Sequence, residues 1–264
     1  MNRTERARVL AGMVEAAARA GTRIREMAAA GVVARSKPDS SPVTEADEAA
    51  EAIIEEYLAK LLPGVPVVGE ESYARGVKVK PGSSFFLVDP IDGTREFMAK
   101  RDEYTVNIAL LIDHSPALGV IYAPALAELF AGGANGAFRL ALTPGMEVSR
   151  AEQTEIRVRP KPKEPVAVVS RSHPDSATQA WLKQRGITQT IKVGSSLKFA
   201  RVAEGKADVY ARLASISEWD IAAGHALVQA AGGIMRTPQG TPLHYGKRSE
   251  GYEAESFIAS AVAF

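Results

Sequence analysis

The chain has 264 residues, with 32 lysines and arginines against 31 aspartates and glutamates, and no cysteine. Without cysteine there are no disulfides, thiolate zinc sites, iron–sulfur clusters or cysteine nucleophiles. A formal net charge of +1 lacks the basic footprint of a nucleic-acid polymer binder. At 46% apolar and 24% charged residues the chain reads as globular, with room for one large domain or two small ones.

Residues 4–29 place Val9, Leu10, Met13, Ala16, Ala17 and Ala20 at helical spacing and predict a helix ended by Gly31. Arginine interrupts this segment repeatedly, so it does not read as a signal peptide, and no stretch reaches the roughly 20 apolar residues of a membrane span. The run 35–43 is a polar, turn-rich loop. Thr44, with Asp47 three residues on, is a relative of the capping box and opens a helix over 45–61. Its apolar stripe is Ala49, Ile53, Ile54, Tyr57, Leu58 and Leu61, and Pro63-Gly64 stops it.

Short apolar runs at 65–68, 85–88, 106–112, 118–122, 129–131 and 137–140 read as strands, and Gly132 to Gly136 as a hairpin turn. Residues 141–165, rich in proline and charge and without a period, are the expected junction between a domain of residues 1–150 and one of 151–264. Beyond it, strands at 166–169, 189–193 and 207–211 alternate with helices at 174–185, 195–204 and 219–231. That βαβα pattern predicts a layered α/β second half after an α+β first half.

The segment Phe85-Phe-Leu-Val-Asp-Pro-Ile-Asp-Gly-Thr94 ends an apolar strand in two aspartates three apart. Pro90 stiffens the turn and keeps Asp89 extended, so Asp89, Asp92 and the Ile91 carbonyl can be aimed at one point. Hard divalent cations take such an all-oxygen set, and the N–H groups of Gly93 and Thr94 suit a phosphate. A plain surface turn uses the same residue types. Three further acidic elements are Glu70-Glu71 after a strand-like run, Asp47 at one helix start and Asp220 at another. Each has a bland reading, as a solvated pair or a helix-start acid. Together they suggest converging carboxylates, which repel one another unless a cation neutralises them. With no cysteine and four histidines, magnesium suits the chain better than zinc. Trp219 and Phe199 suit core packing better than base stacking, Gly224 permits close packing, and His225 faces either the site or the core.

Glu70-Glu71, Asp89-Pro-Ile-Asp-Gly-Thr94 and Trp219-Asp220, in this order and spacing, resemble the inositol monophosphatase superfamily of magnesium-dependent, lithium-sensitive phosphatases. Ser40-Ser-Pro-Val-Thr-Glu-Ala-Asp47, Glu103-Tyr-Thr-Val-Asn-Ile-Ala109, Ser170-Arg-Ser-His173 and Gly194-Ser-Ser-Leu-Lys-Phe199 resemble its CysQ branch, the 3′(2′),5′-bisphosphate nucleotidases of sulfur metabolism. The resemblance implies a layered αβαβα sandwich and a phosphoric monoester hydrolase that converts adenosine 3′,5′-bisphosphate to AMP and phosphate. An inositol or sugar monophosphatase on the same metal site is the alternative. It implies two or three Mg²⁺ ions held by Glu70, Asp89, the Ile91 carbonyl, Asp92 and Asp220. Asp47 and Thr94, with Glu70 at the metal, would orient and deprotonate the attacking water. Gly93 and Thr94 would hold the scissile phosphate, and His173, Ser195, Lys198 and Arg212, beside Asp220, the rest of the nucleotide. A cytoplasmic location is expected. Peripheral attachment to the inner membrane and a homodimer are left open.

Overall fold

The computed structural model describes all residues except 32, 33, 37–41, 134, 161, 248, 250, 263 and 264. Asn2 and Glu5 cap one another reciprocally, Glu5 N donating to Asn2 Oδ1 (2.9 Å) and Asn2 N to the Glu5 carboxylate (2.8 Å). This opens α1 (Arg3–Ala30), whose expected apolar positions are all buried. The expected polar loop instead carries two short antiparallel strands, β1 (Ala34–Ser36) and β2 (Pro42–Thr44), on either side of residues 37–41, which lie outside the described residues. Thr44 and Asp47 then form a full capping box for α2 (Glu45–Leu61). Its buried face is Ala46, Asp47, Ala50, Glu51, Ile54 and Leu58, turned from the expected stripe, so that Ala49, Ile53, Tyr57 and Leu61 are only half-buried.

There follow β3 (Val67–Gly69), the five-residue helix α3 (Glu70–Ala74), β4 (Phe85–Asp92) and a second five-residue helix, α4 (Thr94–Met98). Next come β5 (Thr105–Ile112), β6 (Ser115–Ala123), β7 (Glu128–Gly133) and β8 (Gly136–Ala141). The expected hairpin at the glycine-rich stretch is present, with Gly133 opposite Gly136. Residues 141–165, read as a junction, contain β9 (Glu152–Ile156), which pairs with β8. The first sheet therefore runs β3-β4-β5-β6-β7-β8-β9, past the expected boundary at residue 150.

The second half is β10 (Val166–Ser170), α5 (Ser176–Gln184), β11 (Gln189–Val193), α6 (Leu197–Ala203), β12 (Val209–Arg212), β13 (Ile216–Ser217) and α7 (Glu218–Ala230). It closes with β14 (Ile234–Arg236), β15 (Glu253–Ala254) and β16 (Phe257–Ser260). Strands β10, β11 and β12 are parallel, as the βαβα pattern requires, while the last strand returns antiparallel in the order β11-β10-β12-β16-β14.

The layers follow from which residues each strand turns to which side. Phe86 and Val88 of β4 pack with α1 and α2, whereas Phe85 and Leu87 pack with α6 and α7. Trp181 and Leu182 of α5 cover the far side of the second sheet on Ala167, Val209 and Ala211. The order is thus helix pair, seven-stranded sheet, helix pair, five-stranded sheet, helix. Helix α7 is apolar on nearly every side because it lies between two sheets. It lies close on the first: a Cβ on Gly119 would overlap the Ala223 carbonyl oxygen, and one on Gly132 would come within 2.8 Å of Leu227 Cα.

Candidate active site

The β4 ladder breaks at the motif. Asp89 pairs with Asn107 and Asp92 with Thr105, so Pro90 and Ile91 together face the single residue Val106. Proline cannot donate to the ladder, so the strand bulges there. The bulge is held by Ile91 N donating to Asp89 Oδ1 (3.0 Å) and Thr94 Oγ1 donating to the Ile91 carbonyl (3.1 Å). Gly93 then takes φ 90°, ψ 40°, a left-handed setting that glycine adopts freely, and starts α4.

Glu70, Asp89 and Asp220 each bring a carboxylate oxygen to one place, all within 4.8 Å of one another. Glu70 opens α3, Asp89 ends the regular part of β4, and Asp220 lies in the first turn of α7, with Ser217 N donating to it (3.2 Å). Glu51 sets the first of these. Its buried carboxylate accepts from Glu71 N (2.8 Å), Ser72 N (2.6 Å) and Ser72 Oγ (2.7 Å), and so fixes the α3 turn. Of the acidic pair, Glu70 faces the cleft and Glu71 is buried.

Asp92 lines the cleft beside this trio without being part of it. Burial pushes the Asp92 carboxyl up to about 6; Lys198 and the Ser196 N–H oppose this, and Glu70 and Glu96 add to it. Burial pushes the Asp220 carboxyl well above the usual range, with Asp92 and Glu70 adding to it. An all-oxygen set whose members resist ionising together is the donor chemistry of a hard cation. The residues fit a divalent metal.

Asp47 is buried behind the cleft wall and reaches it through Thr94. Its Oδ2 accepts from Thr44 N (2.8 Å) and Thr44 Oγ1 (2.5 Å), while Oδ1 accepts from Thr94 Oγ1 (3.3 Å). The helix cap read in the sequence and the pairing with Thr94 are therefore one arrangement.

The cleft has a volume of about 550 Å³. Glu70, Asp92, Gly93, Thr94, Ser195 and Asp220 line it, as do His173, Lys198 and Arg212; Asp47, Asp89 and Ile91 lie behind the lining, buried. Lys198 is buried and donates to the Ser195 carbonyl. Burial brings the Lys198 amine down to about 8; Arg212 adds to that and Asp92 resists it. Burial likewise lowers His173, with Arg95 and Arg212 adding to it. The Arg212 Nε and Ser195 Oγ atoms are buried with no partner among the described residues. Mutually repelling cations and orphaned donors around one cavity suit an anion.

Three further residues at or behind the cleft escape a sequence reading. Arg95 lines the cleft mouth, its Nη1 2.9 Å from His173 Nε2. Glu96, buried within the lining, accepts from Ser172 Oγ. Glu51 left one signal, an acid at helical spacing from Ile54 and Leu58 on the buried face of α2. Phe199 stacks on Phe257, and Trp219 packs on Tyr73 and Tyr252, so both belong to the core. His225 faces the core, with Nδ1 2.9 Å from the Tyr245 hydroxyl.

The chain is 42% identical over 224 residues to the 3′(2′),5′-bisphosphate nucleotidase CysQ of Escherichia coli K12, covering 84% of this chain and 85% of the relative. It is 32% identical over 253 residues to CysQ of Aggregatibacter actinomycetemcomitans, covering 95% and 90%. Among solved structures, CysQ from Bacteroides thetaiotaomicron superposes with a TM-score of 0.79 at 33% identity, covering 96% of this chain and 97% of that one. Inositol monophosphatase from Anabaena gives 0.72 at 28% identity, covering 96% and 90%. The sequence profile of the inositol monophosphatase family matches residues 5–263, nearly end to end, and the chain belongs to that family.

Proposed function

We propose that this protein is a Mg²⁺-dependent 3′(2′),5′-bisphosphate nucleotidase that hydrolyses adenosine 3′,5′-bisphosphate to AMP and phosphate. The observation that carries the reading is one cleft with two chemistries. A convergence of Glu70, Asp89 and Asp220, with Asp92 beside it, shares it with the cations Lys198 and Arg212 and with His173. A bisphosphate brings a second anion to that group, which a monophosphate does not. The activity for which the relative at 42% identity is named supports the same choice.

In this reading Glu70, Asp89, Asp92, Asp220 and the Ile91 carbonyl would hold two or three Mg²⁺ ions. When bound, these supply charge neutralisation and a more acidic water. The rest falls to the chain itself. Thr94 and Asp47 form the proton path, the hydroxyl orienting the nucleophilic water and the carboxylate taking its proton as general base. Gly93 and Thr94 offer N–H groups to the scissile phosphate, where negative charge grows in the transition state. Arg212 offers a planar fork and Lys198 a point charge to the second phosphate, and Ser195 Oγ gains in the substrate the partner it lacks in the chain.

The first half supplies Asp47, Glu70 and the Asp89–Thr94 turn, and the second supplies Asp220 and the nucleotide contacts. Two halves are kept as part of the proposal, divided after β9 rather than at residue 150. No helix among the described residues is long and apolar enough to cross a membrane. A peripheral membrane state and a homodimer are to be measured by vesicle sedimentation and gel filtration. The test of function is phosphate release from adenosine 3′,5′-bisphosphate and inositol 1-phosphate, side by side, with Mg²⁺ and with added lithium. Preference for the nucleotide, lost with lithium, is expected. Preference for inositol 1-phosphate would keep the metal site and overturn the roles given to His173, Lys198 and Arg212.

A further inference from the structure

The turn that brings Ser195 and Lys198 into the cleft is held from outside itself. Ser195 takes φ 46°, a strained setting for a residue with a side chain, and its hydroxyl has no partner. The support comes from the first half. Glu103, Thr105 and Asn107 alternate along the approach to β5 and into it, and all three side chains bond to this turn. Glu103 Oε2 accepts from Gly194 N (2.8 Å). Thr105 Oγ1 lies 2.7 Å from Ser196 Oγ, which donates to Asn107 Oδ1 (2.6 Å). A Cβ on Gly194 would lie 2.9 Å from Glu103 Cβ, so residue 194 has room only for hydrogen.

Glu103 is in turn clasped by Arg171. Nε donates to Oε2 (2.7 Å) and Nη2 to Oε1 (2.9 Å), a bidentate pair, and Nη2 also donates to the Lys192 carbonyl (2.7 Å). Neither residue lines the cleft. The turn has two separately held limbs. Ser196, whose N–H lies beside Asp92 and helps hold its carboxyl down, is anchored by Thr105 and Asn107. Gly194 is anchored by Glu103.

We propose that Glu103, fixed by Arg171, is the positioning residue for recognition of the second phosphate. It sets the Gly194–Ser195 limb, and with it the Ser195 hydroxyl and the carbonyl that orients Lys198, while the Asp92 limb stays anchored. The inference rests on the bisphosphate reading above. It is tested with Glu103→Ala and Glu103→Gln in the full chain. The readouts are kcat and KM for adenosine 3′,5′-bisphosphate and the inhibition constants of AMP, which keeps the second phosphate, and of inorganic phosphate, which does not.

Glu103→Ala is expected to raise KM and the AMP constant about tenfold, the loss typical of one charge-assisted hydrogen bond. The inorganic phosphate constant and kcat should stay near wild type. Glu103→Gln keeps an acceptor for Gly194 N–H and should recover part of the loss. Equal weakening of AMP and inorganic phosphate, or a fall in kcat with KM unchanged, would overturn the proposal, as would a Gln variant no better than Ala. A wild-type enzyme that prefers inositol 1-phosphate would instead remove the nucleotide reading on which the proposal stands.

Discussion

The core histidine of α7 makes the pH dependence of folding predictable. His225 is 4% exposed, bonded at Nδ1 to the Tyr245 hydroxyl and unpartnered at Nε2. Burial, with Arg236 adding to it, pushes its pKa down to about 4. An unfolded chain protonates histidine near 6.5. Between those values the unfolded state binds the proton and the folded state does not. The stability is therefore fully present above about pH 6.5 and is lost as pH falls through about 4. Over the whole window the loss is roughly 3 kcal/mol, and about 2 kcal/mol of it has gone by pH 5. His225→Gln keeps a hydrogen-bonding group near Tyr245 and does not titrate. Urea unfolding at pH 7.5 and pH 5 should show the wild type losing about 2 kcal/mol more than the variant. The other titrating groups are common to both chains and cancel in the difference. Equal losses would refute the reasoning.

Asp47→Asn should lower kcat by about 10²–10⁴-fold, the usual worth of a general base, while Mg²⁺ still raises the unfolding temperature. Loss of that stabilisation as well would mean that Asp47 holds the ion site rather than the reacting proton. Asp220→Asn relieves the crowding with Asp92 and Glu70, so the metal-free protein should melt about 2–4 °C higher and gain little from Mg²⁺. A lower metal-free melting point would count against charge repulsion in this cluster. In Gly224→Ala the new Cβ would overlap the Phe199 ring and lie 2.8 Å from Phe199 Cβ. Overpacking of that kind costs about 1–3 kcal/mol, which calorimetry should register as a fall of several degrees.

The acidic site was legible because its ligands double as local signals. Asp47 and Asp220 sit in helix-start capping boxes, and Asp89 and Asp92 flank a proline at the end of an apolar strand. Glu51, Arg95, Glu96 and Glu103 were not, since each acquires its role from a partner 20 to 91 residues away. The fold shows the same division. Long periodic elements were readable, such as α1 and the β10–α5–β11 unit. Strand β9, Glu-Gln-Thr-Glu-Ile, is an exposed edge with almost no apolar alternation, so nothing local marks it. Helices α3 and α4 are five residues each, too short to show a helical period. Strands β14 and β16 pair across the turn-rich stretch 237–256, and only their partners define them.

The seating of α7 on the first sheet reaches further than packing. With backbone against backbone at Gly119, the sheet is a hard stop for the helix, and the depth of that stop fixes how far Asp220 projects toward Glu70 and Asp89. A methyl group at residue 119 would raise the helix as a shim raises a beam. The spacing of the metal ligands could then change without any substitution in the cleft. Divergence among relatives in ion number or ion size has a route open to it at a position on the sheet that does not line the cleft.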